Sequence, residues 1–107
     1  MTTEITDKLA DCLDSFFNER GYFTSMVIGE DSVAMSYENN KKNIANIYVI
    51  PEANKINVRV RLFGNDDDKP FFEYWGKTSF DGSVESAITK TLMQNVDSHL
   101  KAYQNGN

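Results

Sequence analysis

The chain has 107 residues, 40% of them hydrophobic and 12% aromatic, with a net charge of −5. Length and composition suit one folded domain spanning 1–107 and exclude a disordered chain, while the acidic balance argues against general affinity for nucleic acid or anionic membranes. The lone cysteine, Cys12, excludes an internal disulfide and a cysteine-rich metal site, no apolar run approaches the ~20 residues of a membrane span, and the N-terminus lacks the features of a signal peptide, so the expected location is the cytoplasm.

Residues 4–20 are predicted as a helix. Ile5, Leu9, Cys12, Leu13, Phe16 and Phe17 recur at helical spacing, with Glu4, Asp7, Asp11 and Asp14 mostly off that stripe. Gly21 suits a left-handed C-terminal cap. Cys12 belongs to the stripe and reads as a core residue.

From residue 22 to 77 the pattern alternates. Strands are expected near 22–28, 33–37, 45–50, 55–63 and 71–77, separated by Gly-Glu-Asp-Ser (29–32), the polar run 38–43, Pro-Glu-Ala-Asn (51–54) and Gly-Asn-Asp-Asp-Asp-Lys-Pro (64–70). Connections this short make hairpins rather than parallel crossovers, so an antiparallel meander is expected. Folding about the breaks sets Ile28 opposite Val33 and Met26 opposite Met35. It also sets Val49 opposite Ile56, Ile47 opposite Val58, Leu62 opposite Phe72 and Val60 opposite Tyr74. One face comes out apolar throughout.

From Ser83 the helical period returns: Val84, Ile88, Leu92, Val96, Leu100 and Tyr103, with Asp81 or Ser83 as N-cap. Up to about 22 residues, roughly 33 Å, could cross the sheet. The fold class expected is therefore α+β in two layers: an N-terminal helix, a five-stranded antiparallel meander and a long C-terminal helix, with residues 104–107 a frayed tail.

If both helices cover one face, the other carries Tyr48, Ile50, Asn57, Arg59, Arg61, Phe63, Phe71, Glu73 and Trp75. Five of these nine are aromatic or large aliphatic, and a contiguous patch of that kind marks an interface. The strand Lys55–Phe63 puts two of the chain's three arginines there. Residues 41–61 hold five bases against one acid, whereas residues 1–20 hold five acids and two bases. Tyr48, Arg59, Arg61, Phe63 and Trp75 are the expected partner-binding residues. A plainer reading stands beside that one: Arg61 opposite Glu73 and Arg59 opposite Trp75 would be a cross-strand ion pair and a cation–π contact that only solubilise the sheet.

Other chemistry is faint. His99 is the only histidine and reads as a surface residue near a helix C-terminus, and a Cys12–His99 nucleophile pair would lack an activating third group. Asp66-Asp67-Asp68 lacks the alternate spacing of a calcium loop, and the isolated glycines cradle no phosphate. No enzyme activity, cofactor or metal is expected. In size, acidity and helix–sheet–helix order the chain resembles the small acidic chaperones of type III secretion, which dimerise and hold partner segments. The resemblance covers no motif and lacks their internal helix between strands. The order is also that of double-stranded RNA-binding domains, but Ser83-Val-Glu-Ser86 stands where their lysine cluster would be. The functional expectation is a non-catalytic protein-interaction module, whether adaptor, chaperone-like factor or inhibitor. Its alternatives are a weak single-stranded nucleic-acid binder on the same basic–aromatic face and a homodimer that buries that face.

Overall fold

The computed structural model describes residues 3–28, 32–39, 43–64, 69–80 and 83–100. Helix α1 (Thr3–Asn18) is followed by strands β1 (Phe23–Ile28), β2 (Val33–Glu38), β3 (Ile44–Pro51), β4 (Lys55–Phe63) and β5 (Phe72–Ser79), then helix α2 (Val84–Asn95). The strands form one antiparallel sheet in the order β1-β2-β3-β4-β5. Among the described residues no helix is long and apolar enough to cross a membrane.

Helix α1 forms because Leu9, Leu13, Phe16 and Phe17 lie on one side and are all buried. It stops at Gly21, whose φ of 84° is left-handed. The Tyr22 N–H bonds the Phe17 carbonyl (2.9 Å) and the Gly21 N–H that of Asn18 (3.1 Å), the paired bonds of a Schellman motif. The rings of Tyr22 and Phe17 meet edge to face across it, 6.2 Å apart.

Helix α2 starts at Ser83, whose hydroxyl accepts the Ser86 N–H at 3.1 Å; Asp81, the other possible cap, lies outside the described residues. The helix does not run unbroken to its expected end. Asn95 Nδ2 donates to the Thr91 carbonyl (3.0 Å), in competition with the backbone ladder. Val96 opens to φ −120°, and one more helical turn spans 97–100. Tyr103 and the tail lie outside the described residues.

Both helices pack on the same side of the sheet, α1 over β1–β3 and α2 against β5, and they pack on each other. The core between the layers takes Val33, Met35 and Tyr37 from β2, Ala45, Ile47 and Val49 from β3, and Ile56, Val58, Val60 and Leu62 from β4. Five alternating strands are an odd number, so the chain re-enters the helical layer travelling as it left. The helices therefore run parallel: Cys12 lies beside Glu85 and Thr89, and Arg20, further along, beside Met93 and Asp97.

Two expected registers are corrected. In the β3–β4 hairpin Val49 pairs with Val58, Ile47 with Val60, and Pro51 with Ile56. The turn is centred at Ala53-Asn54, one residue further along than a symmetric fold about 51–54 would set it, and it is closed by the Glu52 N–H to the Lys55 carbonyl (2.7 Å). The slip is two residues, so every side chain keeps its face. In the β1–β2 hairpin the slip is one residue: Val27 pairs with Met35, and Met26 and Ile28 with Ser36 and Ala34. A bulge between Thr24 and Met26 absorbs it, with the Ser25 hydroxyl bonded to the Ser36 carbonyl. Val27, turned onto the helical side, stays 62% exposed. The β4–β5 pairs, Leu62 with Phe72 and Val60 with Tyr74, stand as expected.

Candidate functional site: the helix-free face of the sheet

The registers arrange the uncovered face in rows across the strands. One row runs Ile28, Ala34, Tyr48, Arg59, Trp75; the next runs Met26, Ser36, Asn46, Arg61, Glu73; the third runs Phe23, Glu38, Ile44, Phe63. From β2 to β5 a polar row thus lies between two rows rich in aromatic and aliphatic side chains. Trp75 is 75% exposed, Phe23 61%, and Tyr48, Ile50 and Phe71 are exposed as well.

The two arginines share one acid. Glu73 Oε2 accepts from Arg61 Nε at 2.9 Å and from Arg59 Nη2 at 3.2 Å, and the Arg59 guanidinium lies 5.6 Å from the Trp75 ring centre. The ion pair and the cation–π contact are thus both present, and both arginines stay partly exposed. Further along, the Glu52 carboxylate accepts from Asn57 Nδ2 and lies 3.8 Å from Lys77 Nζ. Such half-exposed pairs contribute about 0–1 kcal/mol each. They order the side chains more than they stabilise the fold.

Between the first two rows the surface sinks into a depression of about 390 Å³ lined by Ala34, Ser36, Asn46, Tyr48, Arg59 and Arg61 together with backbone of β2 and β3. It exists because β2 presents small residues, Ala34 and Ser36, beside the long side chains of β3 and β4. Of the five expected binding residues, Tyr48, Arg59 and Trp75 come together in one row and Arg61 sits in the next. Phe63 lies in the third row, outside the depression. Ala34, Ser36, Asn46, Ile44 and Phe23 were missed. For Ala34 and Ser36 the large–small alternation Val33-Ala-Met-Ser-Tyr37 was the signal, once β2 is taken as the neighbour of β3.

The helical side holds the rest of the chemistry. Cys12 lines a groove between α1 and α2 with Glu85, Thr89 and Met93. Burial and then the Glu85 charge push its thiol above the ordinary range, which makes it a poor nucleophile. His99 is exposed and stacks on Phe72, ring centres 3.8 Å apart, so it and Cys12 belong to different surroundings. Asp66–Asp68 lie outside the described residues.

These features define a two-layer, open-faced α+β domain with both helices on one side. No protein-family model, curated protein or solved structure matches the chain.

Proposed function

We propose that the protein is a non-catalytic interaction module of the cytoplasm, an adaptor, chaperone-like factor or inhibitor, that docks a protein partner on the helix-free face of its sheet. The observation that carries the reading is the banded surface: exposed aromatic rows either side of a polar row, with Trp75 at its edge. Aromatic anchors exclude water and arginines set orientation at such interfaces. Nucleic acid is the weaker reading, because Glu73 engages both arginines and leaves the face little charge with which to follow a phosphate backbone.

The test is capture of partners from source lysate, with and without nuclease, by the wild-type chain and by Trp75→Ala/Arg59→Glu. Trp75 is so exposed that Trp75→Ala should shift stability by no more than about 0.5 kcal/mol. A protein captured after nuclease treatment and lost with the folded double variant is the expected result. Capture that survives the double variant would move the interface elsewhere.

A further inference from the structure

Two guanidinium groups and one carboxylate make an unbalanced set. With Glu73 shared between Arg59 and Arg61, the first two rows keep one positive charge in a chain of net −5, with Glu38 standing in the third row. The depression beside it is built of hydrogen-bond donors: the Ser36 and Tyr48 hydroxyls, the Asn46 amide and both guanidinium groups, with no acidic residue among those that line it. Arg59 Nε is buried without a hydrogen-bond partner. A site rich in donors, net positive and closed on one side suits an anionic oxygen.

The neighbouring rows specify what carries that oxygen. Rows on one face lie two residues apart along each strand, about 7 Å, which is also the distance between alternate side chains of an extended peptide. A peptide lying along the strand direction would set one side chain over the polar row and its neighbours two positions away over the apolar rows. We infer, resting on the interaction reading above, that the face takes an extended acidic segment of a protein partner. One Asp or Glu enters the depression beside Ser36, Asn46 and Arg61, with apolar side chains two positions to either side, against Tyr48 and Trp75 and against Ile44 and Phe63. A nucleic-acid strand matches less well, since it repeats its charge at every unit where this surface alternates charge with apolar area.

The probe is a random-peptide phage library selected on the full chain, followed by titration of the best synthetic peptides. The expected winners share the pattern apolar–any–acidic–any–apolar. Replacing the acid by its amide should weaken binding about tenfold. Arg61→Gln should weaken the acidic peptide by a similar factor, and the two losses should not add. Glu73→Gln removes the competing carboxylate, so it should tighten the acidic peptide and leave the amide peptide unchanged, which a merely structural role for Glu73 would not do. Peptides lost with Trp75→Ala but indifferent to Arg61→Gln and to their own charge would overturn the acidic-segment inference and leave the face as the docking surface. An empty selection, or peptides indifferent to both variants, would overturn both. Oligothymidine that binds as tightly at the same salt and is lost with Arg61→Gln would overturn the inference in favour of nucleic acid.

Discussion

Arg20 joins the C-terminal ends of two parallel helices, and removing its partner Asp97 should cost far more than breaking a surface pair. Its Nε lies 2.6 Å from Asp97 Oδ1, Nη1 donates to the Phe16 carbonyl (2.9 Å), Nη2 lies 3.2 Å from Met93 Sδ, and the guanidinium covers the Phe16 ring at 3.8 Å. The paired side chains are only 14% and 10% exposed. Carbonyl dipoles at both helix ends favour a cation there. Deleting one member of a buried pair costs about 3–5 kcal/mol. Because Arg20 would keep the Phe16 carbonyl and ring, we place Asp97→Ala at the lower end, about 3 kcal/mol, or roughly 12 °C in Tm for a domain of this size. The nearby Glu19, 3.7 Å from Nη1, is too exposed to substitute. Urea melts followed by far-ultraviolet circular dichroism and Trp75 fluorescence give the value. The double variant Arg20→Met/Asp97→Leu should recover to within about 1 kcal/mol of wild type, as buried pairs replaced by apolar residues commonly do. A loss below about 1 kcal/mol for Asp97→Ala would put the contact among ordinary surface pairs and refute the reasoning.

Two further predictions concern the helical side of the sheet. A Cβ added at Gly76 would fall 2.2 Å from the Tyr74 hydroxyl and 2.7 Å from Cζ, so Gly76→Ala must displace that ring. It should cost about 1–3 kcal/mol, and Gly76→Ala/Tyr74→Leu should regain part of this in the same urea melts. Tyr37 donates to Asp14 (2.8 Å) and stacks on Phe17 at 4.6 Å; burial, then the bond to Asp14 and its charge, raise its phenol well above the ordinary value. The native state then holds a proton that the unfolded chain releases near pH ~10. This contribution is complete below that pH and is lost as pH rises beyond it. The urea midpoint should fall above pH ~10, more steeply in wild type than in Tyr37→Phe; equal slopes would count against it.

Much of the fold is legible in the sequence because its elements are local. Gly21 after Phe16-Phe17 marks the end of α1, Ser83 marks the start of α2, and strict alternation from Lys55 to Phe63 fixes the faces of β4. The β4–β5 pairing follows from alternation together with a fold centred on the 64–70 break, and with it the meeting of Arg61, Glu73, Arg59 and Trp75. What escapes is whatever depends on loop geometry or on a distant element. The β1 bulge leaves only Ser25 as a trace, and the one-residue displacement of the β3–β4 turn slips that pairing by two and changes no face, so no hydrophobic pattern opposes it. The Arg20–Asp97 contact spans 77 positions and follows only once the strand count makes the helices parallel. In the site, the aromatic residues announce themselves by size. The depression is made by small residues, Ala34 and Ser36, which signal nothing until their neighbours are known.

The sequential order of the sheet also bears on how quickly the chain can find its structure. Every strand pairs only with the strand before or after it, so the sheet can grow hairpin by hairpin, each closing a short loop at small entropic cost. Only the docking of α2 beside α1 must bring together the two ends of the chain. A topology dominated by near-neighbour pairings places refolding towards the fast side for a β-rich domain. The helix–helix seam, held at one end by Arg20, is then the contact to form late, and substitutions there should speed unfolding far more than they slow refolding.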